Sequence, residues 1–197
     1  MARVIVSEFL TLDGVMQGPG GSDEDREEGF EHGGWQMDLL DDVMGKAVDE
    51  GMANMGGLLL GRKTYEIFAG YWPTATEDLE TAELFNKVPK YVASRTLQEP
   101  LEWANSKLLE GDVAEAVRKL KEEPGGDLVV WGSGKLAQSL MENGLVDELQ
   151  IMIHPIVLGT GKRLFREGLP VIRLRLVDSK TSTTGVLILK YVPGEKE

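Results

Sequence analysis

Three short turns in the sequence combine glycine with side chains that bind phosphate groups. They read Gly61-Arg62-Lys63-Thr64, Ser94-Arg95-Thr96 and Gly132-Ser133-Gly134-Lys135, and each follows a short apolar run. Glycine lets the backbone approach a ligand closely, and a neighbouring Arg, Ser or Thr can donate charge-assisted hydrogen bonds to an anion. Any single turn is better explained as a solvated connector. Three in succession favour a ligand that is rich in phosphate.

The third turn also begins a dinucleotide fingerprint in its alanine-terminated form, over residues 132–137. A Rossmann site needs, in addition, an acidic residue at the end of the next strand to hold the ribose 2′-hydroxyl. The next apolar run ends instead at His154-Pro155. Ser94 and Arg95 offer a donor and a cation, which suit a ribose 2′-phosphate. The sequence therefore favours NADPH over NADH, on a sheet that is not a Rossmann fold.

Asp13 is the leading candidate for an active-site acid, because it follows an apolar strand at the mouth of the predicted sheet. Reduction of a C=N or C=O bond needs a proton at the heteroatom, and a carboxylic acid with a raised pKa can deliver it. Asp13 is equally well explained as a residue of an Asp-Gly turn. Trp35 is a candidate wall of the substrate pocket, or equally the first core residue of a helix.

A fourth turn, with Gly159, Gly161 and Lys162, could cradle a substrate phosphate in a nest of backbone N–H groups. A tight turn without a ligand explains these residues slightly better. His154 is better explained as a structural histidine than as a catalytic one. His32 has no other histidine and no cysteine near it, so no metal site is expected.

Hydrophobic periodicity places these residues on alternating strands and helices, followed by a tail of strands. Continuous apolar runs are typical of strands buried on both faces, and spacings of three and four are typical of helices. This order predicts an α/β sheet with an antiparallel edge, in one domain over residues 1–197. Ligands of such sheets bind outside the carboxyl ends of the strands, where the three turns fall. Strands are predicted at residues 3–10, 58–60, 91–94, 128–131, 149–153, 171–177 and 184–192, and helices from near residues 35, 63, 74, 112 and 134.

Residues 17–34 contain six glycines and six carboxylates, and they offer little apolar surface to bury. Such a composition predicts a mobile loop, which would serve as a lid on the substrate side. This loop also accounts for much of the charge. Residues 1–57 hold 13 acids and 3 bases, a net of −10, whereas residues 58–197 hold 20 acids and 18 bases, a net of −2. The proposed phosphate contacts all lie in the nearly neutral part.

Composition excludes several other classes of protein. The chain has 197 residues, a formal charge of −12 and no cysteine, which leaves no disulfide framework, thiol nucleophile or zinc ribbon. Excess acid disfavours binding to nucleic acid or to anionic membranes, because both require an excess of Lys and Arg. The N-terminus lacks the apolar run of a signal peptide, and no stretch approaches the roughly 20 apolar residues that span a bilayer. A cytoplasmic protein is therefore expected.

Taken in order, the three turns and their flanking strands resemble the signature of the dihydrofolate reductase superfamily. The relevant segments are Leu60 to Glu66, Ala93 to Thr96 and Val130 to Leu136. Two further segments, Leu10 to Val15 and Asp147 to Phe165, are similar to the riboflavin-biosynthesis reductase domain, the C-terminal half of bifunctional deaminase-reductases. The resemblance covers residues 3–192. The deaminase half is absent, because there is no cysteine to hold its zinc and no His-x-Glu.

This resemblance implies a three-layer α/β sandwich that binds NADPH and generally forms a homodimer. Its mixed sheet would be mostly parallel, with an antiparallel C-terminal hairpin and helices on both faces. By motif position, Gly61, Arg62 and Thr64 would meet the cofactor phosphates, and Ser94 with Arg95 the 2′-phosphate. Residues 132–135 (Gly132, Ser133, Gly134 and Lys135) would cradle the pyrophosphate.

The implied activity is reduction of a pterin, a pyrimidine or a ribosylaminouracil-like compound, in the manner of 5-amino-6-(5-phosphoribosylamino)uracil reductase. One alternative is an NADP- or pterin-binding protein with little turnover, because the acid on the first helix of dihydrofolate reductases is not reproduced here. Asp38, Asp41 and Asp42 lie on the corresponding helix, but they are better explained as solvated acids that stabilise its dipole. A second alternative keeps the fold for another phosphorylated ligand. A third is dihydrofolate reductase itself.

Overall fold

The computed structural model describes residues 1–194 and contains an eight-stranded sheet with five α-helices. The strands are hydrogen-bonded in the order β4-β3-β2-β5-β1-β6-β8-β7. The predicted α/β sheet with an antiparallel C-terminal hairpin is confirmed, since β2 pairs in parallel with β3 and β5, and β8 pairs antiparallel with β6 and β7. The elements are β1 (Val4–Thr11), α1 (Asp42–Met52), β2 (Met55–Gly61), α2 (Arg62–Tyr71), α3 (Leu79–Lys87), β3 (Lys90–Ala93), β4 (Ser106–Leu108), α4 (Val113–Glu122), β5 (Asp127–Trp131), α5 (Gly134–Glu142), β6 (Glu148–His154), β7 (Leu174–Thr181) and β8 (Leu187–Pro193).

The chain divides into two compact units, and β1 contributes to both of them. The first unit contains Met1–Ile5 and Asn54–Leu145, and the second contains Val6–Ala53 and the residues from Val146 onward. The prediction of a single domain over residues 1–197 stays a prediction. Among the residues that the structure describes, no helix is both long enough and apolar enough to cross a membrane.

The first unit is built on the parallel strands β2, β3 and β5. Leu58, Leu59 and Leu60 of β2 are completely buried, as their continuous apolar run predicts. Helix α4 begins where Asp112 accepts a hydrogen bond from the backbone N–H of Glu115, a typical N-cap. The short edge strand β4 has no apolar pattern, so sequence periodicity did not predict it.

In the second unit, α1 packs Met44 and Ala47 against Met152, Val186 and Ile188. The helix predicted from residue 35 begins only at residue 42. Residues 37–39 form a short 3₁₀ helix instead, and residue 40 is extended. The start of α1 is fixed by the side chain of residue 41, which accepts a hydrogen bond from the backbone N–H of Met44.

Residues 17–34 carry more buried surface than their composition suggests. Phe30 is only 5% exposed and packs with Val15 and Trp35, and Gln17 is 3% exposed. The prediction that this segment has little to bury was wrong at these two positions. One aromatic residue and one amide among so many glycines and acids do not change the average composition, so the sequence did not indicate that Phe30 and Gln17 are buried.

Strand β7 begins three residues later than predicted, at Leu174, and extends to Thr181. Its register against β8 shifts between Leu176 and Asp178, which breaks the simple alternation that the sequence shows. All eight of its residues are exposed. The predicted hairpin partner is confirmed as β8.

Candidate functional site

The first unit brings two of the three glycine turns into direct contact. Strands β2 and β5 are parallel neighbours, so their carboxyl ends lie at the same edge of the sheet. The Ser133 hydroxyl accepts a hydrogen bond from the Gly61 N–H at 2.9 Å and donates to the Trp131 carbonyl at 3.1 Å. In return, the Ser133 N–H donates to the Thr64 hydroxyl oxygen at 2.9 Å. These bonds hold the start of α2 beside the start of α5.

Gly132 shows why this contact requires glycine. Its φ is +56°, and an added Cβ would lie 3.0 Å from Thr64 Oγ1 and 3.2 Å from Thr64 Cγ2. Any side chain here would therefore push the turn away from α2. Ser133 follows in the left-handed region, with φ of +56°. The backbone is thus bent so that two helix N-termini, each the positive end of a helix dipole, lie side by side.

The turn after β3 joins the same edge, because β3 pairs in parallel with β2 and places Ala93 opposite Gly61. The Ser94 hydroxyl accepts hydrogen bonds from the backbone N–H groups of Thr96, at 3.1 Å, and Leu97, at 3.0 Å. The Ser94 and Thr96 hydroxyls also lie 3.5 Å apart, and together these contacts fix the turn. Arg95 is exposed.

Two further cations at this edge, Arg62 and Lys135, are exposed. Arg62 pairs with Glu66 at 3.2 Å, one helical turn away, with both side chains about half exposed. Such a pair contributes roughly 0.3–0.5 kcal/mol to stability, so an anionic ligand can replace Glu66 as the partner of Arg62 with little loss of free energy. Lys135, in the first turn of α5, is also exposed. The three predicted turns therefore follow three neighbouring parallel strands at one edge of the sheet, with exposed cations on each of them.

In the second unit, Asp13 lies at the centre of a hydrogen-bonded turn after β1. Its carboxylate accepts hydrogen bonds from the Thr11 hydroxyl at 2.6 Å, from the Gly159 N–H at 2.9 Å and from the Leu158 N–H at 3.2 Å. Arg163 pairs with the same carboxylate at 3.2 Å and donates to the Asp13 carbonyl at 2.9 Å. Asp13 therefore joins the turn after β1 to the loop after β6.

These contacts set the charge state of Asp13. The Thr11 hydroxyl, with help from the two backbone N–H groups, lowers the pKa of Asp13 from 3.8 to about 2. A general acid at neutral pH needs the opposite shift. The structure thus gives Asp13 the geometry of a turn residue, one of the two roles that the sequence allows equally. Its role as an active-site acid stays a prediction.

Trp35 belongs to the core of the second unit. It packs with Val15 and Phe30, and its indole N–H donates to the Gln17 carbonyl at 2.8 Å. The edge of its ring also meets His154, with centroids 5.0 Å apart. This matches the core interpretation of Trp35 rather than a pocket wall, although residue 35 begins no helix.

His154 is completely buried and neutral, because burial lowers its pKa. Its Nδ1 lies 3.2 Å from the Leu10 carbonyl and 3.1 Å from the Met152 carbonyl, which places the proton on Nδ1. Within the described part of the chain, its Nε2 has no hydrogen-bond partner. His154 therefore ties β1 to β6 as a structural residue.

The turn predicted to bind a substrate phosphate is occupied by side chains of the same unit. Lys162 Nζ lies 2.6 Å from Asp25 Oδ2 and 2.6 Å from Glu27 Oε2. The Lys162 N–H donates to the Gln17 side chain at 3.0 Å. Sequence reasoning missed Gln17 altogether. Its only signal was a lone amide at the start of a polar segment, which composition cannot distinguish from a solvated one.

The strand order, the parallel strands with glycine turns at their carboxyl ends and the antiparallel C-terminal hairpin define an α/β protein with the dihydrofolate reductase-like fold. More specifically, the chain belongs to the RibD C-terminal domain family, whose model matches residues 2–188. This confirms the resemblance seen in the sequence motifs.

Similar proteins agree with this placement. The chain is 32% identical to the uncharacterized protein YyaP of Bacillus subtilis (strain 168) over 193 residues, which cover 96% of this chain and 94% of YyaP. A candidate riboflavin biosynthesis protein from Shewanella sp. PV-4 superposes with a TM-score of 0.70 at 20% identity, covering 99% and 100% of the two chains. The diaminohydroxyphosphoribosylaminopyrimidine deaminase/5-amino-6-(5-phosphoribosylamino)uracil reductase of Thermotoga maritima gives a TM-score of 0.65 at 13% identity, covering 98% of this chain and 57% of that one. At these identities, the two solved structures show a shared fold.

Proposed function

We propose that the protein is an NADPH-dependent reductase that acts on a pterin, a pyrimidine or a ribosylaminouracil-like compound. Membership of the RibD C-terminal domain family supports reduction as the class of activity. The name of the similar T. maritima protein, a uracil reductase, points to the same chemistry. The observation that carries the proposal is the contact between Thr64 and Ser133, which sets two helix N-termini side by side at one edge of the sheet.

The residues at this edge fit the phosphates of NADPH. The contacts of Ser133 with Gly61 and Thr64 hold the first turn of α5 beside that of α2, and two neighbouring helix N-termini suit a pyrophosphate. Arg62 and Lys135 would add charge to this part of the site, and Ser94 with Arg95 would hold the 2′-phosphate. The Ser133 side chain, already bonded to Trp131 and Gly61, would act by holding the turn in place.

When bound, NADPH supplies the hydride of the reaction. The chain's own residues then bind the cofactor phosphates and fix the position of the nicotinamide end through them. Asp13 stays ionised, so we assign it the task of holding residues 158–163 in place rather than that of donating a proton.

The low pKa of Asp13 also favours a second candidate function, a protein that binds NADP or a pterin with little turnover. The carboxylate that the sequence places first for proton delivery is instead held by the Thr11 hydroxyl, two backbone N–H groups and Arg163, which favour its charged form. The two candidates share the cofactor site and differ only in whether a substrate is reduced.

We further propose that the protein forms a homodimer through strand β7. This strand lies at the edge of the sheet, and all eight of its residues are exposed. Leu174, Leu176 and Val177 are between 39% and 48% exposed, and an edge strand with exposed apolar side chains is a template for pairing with another chain. Sedimentation should show a dimer that Leu176→Glu converts to a monomer. A monomeric wild-type protein would contradict this part of the proposal.

The test of function is NADPH oxidation, followed at the nicotinamide absorbance band, against a panel of dihydropterins and aminouracil ribosyl compounds. The reductase proposal predicts oxidation that depends on one member of the panel and is lost in Arg95→Ala at limiting NADPH. Tight NADPH binding without oxidation against any member would instead support the binding protein.

A further inference from the structure

The segment that follows β3 is held at one buried residue, Trp103. Among residues 94–105, which join β3 to β4, Trp103 alone is buried, with 3% of its surface exposed. Its indole N–H donates to Asn86 Oδ1 at 2.6 Å, and its backbone N–H donates to the Tyr65 hydroxyl oxygen at 3.0 Å. The Lys90 ammonium group lies 4.4 Å from the centre of its ring, within the range of a cation–π interaction. We call Tyr65, Asn86, Lys90 and Trp103 the Trp103 anchor.

The partners of Trp103 are themselves fixed within the first unit. Lys90 is completely buried, and its ammonium group donates to the carbonyls of Asn86, at 3.1 Å, and Val88, at 3.0 Å, where α3 ends. The side-chain N–H of Asn86 donates to the Trp72 carbonyl at 3.0 Å. The anchor therefore attaches the segment after β3 to a part of the unit that is already hydrogen-bonded in place.

One turn of α2 connects this anchor to the candidate phosphate site. Thr64 accepts a hydrogen bond from the Ser133 N–H at 2.9 Å, and the next residue, the buried Tyr65, accepts one from Trp103. The start of α2 is thus bonded to the start of α5 through one residue and to the segment after β3 through the other. That segment begins with residues 94–95, the candidate contacts for a 2′-phosphate.

The sheet itself does not hold these two residues. The parallel pairing of β2 with β3 ends at Ala93, opposite Gly61. The chain then leaves the sheet and rejoins it at Ser106, which pairs with Lys90. The hydrogen bond between Tyr65 and Trp103 therefore ties to α2 a segment that the strand pairing leaves outside the sheet.

We propose that the Tyr65 hydroxyl, acting through Trp103, positions residues 94–95 relative to the start of α2 and so determines how strongly the protein prefers a cofactor with a 2′-phosphate. This inference rests on the proposed function, which assigns the pyrophosphate to the starts of α2 and α5 and the 2′-phosphate to Ser94 and Arg95. Both groups belong to one molecule, so the two parts of the site must keep a fixed spacing to bind them together. A segment that is ordered before the ligand arrives loses less entropy on binding, which strengthens binding. Tyr65 is then a positioning residue for cofactor selectivity.

The substitution Tyr65→Phe tests this role, because it keeps the ring and leaves the buried N–H of Trp103 without its acceptor. The matched control is Tyr71→Phe, which removes a hydroxyl from an exposed side chain at the end of the same helix. Titration calorimetry gives the dissociation constants of NADPH and NADH for wild type and both variants. Tyr65→Phe should bind NADPH about three- to tenfold more weakly and NADH within about twofold of wild type, because NADH has no 2′-phosphate to position. Tyr71→Phe should bind both cofactors as wild type does.

Hydrogen exchange of the ligand-free protein, followed by mass spectrometry, tests the anchor without any cofactor. Tyr65→Phe should exchange faster than wild type over residues 94–103, and Tyr71→Phe should not. If Tyr65→Phe does not fold, Trp103→Phe takes its place, since it removes the hydrogen bond to Asn86 from the same anchor. The same faster exchange and the same loss of NADPH preference are expected for Trp103→Phe.

The inference fails if Tyr65→Phe keeps the full wild-type preference for NADPH, or if the variant weakens NADPH and NADH binding equally. Unchanged exchange over residues 94–103 would also contradict it. All three outcomes leave the proposed function standing. A wild-type protein that binds both cofactors equally would instead refute the proposed recognition of the 2′-phosphate, and the positioning role of Tyr65 with it.

Discussion

Replacing Asp13 with Asn separates the two roles that the sequence allows for this residue. As a turn residue, Asp13 holds the loop after β6 through Gly159, Leu158 and Arg163. As a general acid, it would act on the substrate and contribute little to stability. The substitution keeps the size of the side chain but removes its charge, so the roles predict opposite patterns of change.

The expected loss of stability follows from the pKa of Asp13. The fall from 3.8 to about 2 corresponds to about 2 kcal/mol at neutral pH, and the partial exposure of Asp13 and Arg163 reduces this to about 1–2 kcal/mol. The folded-state pKa is the lower one. The contribution is therefore present above pH 3.8 and is lost as the pH falls towards 2, because the unfolded chain then binds the proton more tightly.

Urea unfolding of wild-type and Asp13→Asn protein between pH 7 and pH 2.5 measures this directly. We expect the variant to be less stable by about 1–2 kcal/mol at pH 7, with the difference shrinking below pH 4. Asp23→Asn, at an exposed position, should show no such difference. Equal stability at pH 7 together with a loss of activity of about 10²–10⁴-fold, as expected for a removed general acid, would refute the positioning role.

Three further predictions concern the first unit. Thr64→Val should lower the free energy of unfolding by about 1–2 kcal/mol and weaken NADPH binding, because it leaves the Ser133 N–H without its acceptor. Thr64→Ser should restore both the stability, measured by denaturation, and the affinity, measured by titration. Gly132→Ala should destabilise the protein by roughly 1–3 kcal/mol, whereas Gly125→Ala, whose added Cβ contacts nothing, should not; equal melting temperatures would contradict the strain at Gly132. Burial lowers the pKa of Lys90 from 10.5 to about 8. The free energy of unfolding of wild type, relative to that of Lys90→Met, should therefore rise between pH 8 and pH 10.5. Parallel pH profiles for the two proteins would refute this.

Sequence patterns predicted the elements that depend on local chemistry. The apolar run at residues 58–60 identified a doubly buried strand, and the glycine turns identified the carboxyl ends of β2 and β5. These features are visible in sequence because burial on both faces requires continuous apolar residues, and a tight bend requires glycine.

Other features depend on partners that are distant in the chain, and the sequence could not show them. Asp41 begins α1 because it caps Met44 and also accepts hydrogen bonds from the N–H and the hydroxyl of Thr183, 142 residues away. Lys162 could be recognised as a cation in a glycine turn, but its pairing with Asp25 depends on the fold of the second unit. A residue type that suits a ligand suits an internal partner equally well, and only the structure shows which of them it meets.

We propose that the three turns at the carboxyl ends of β2, β3 and β5 bind NADPH and recognise its 2′-phosphate. The most direct test is to measure the dissociation constants of NADPH and NADH by tryptophan fluorescence, for wild type and for Arg95→Ala. Wild type should bind NADPH at least about tenfold more tightly than NADH, a difference of about 1.4 kcal/mol in binding free energy. Arg95→Ala should remove this preference while leaving NADH binding nearly unchanged. Equal affinities in the wild type, or equal losses for both cofactors in the variant, would contradict it.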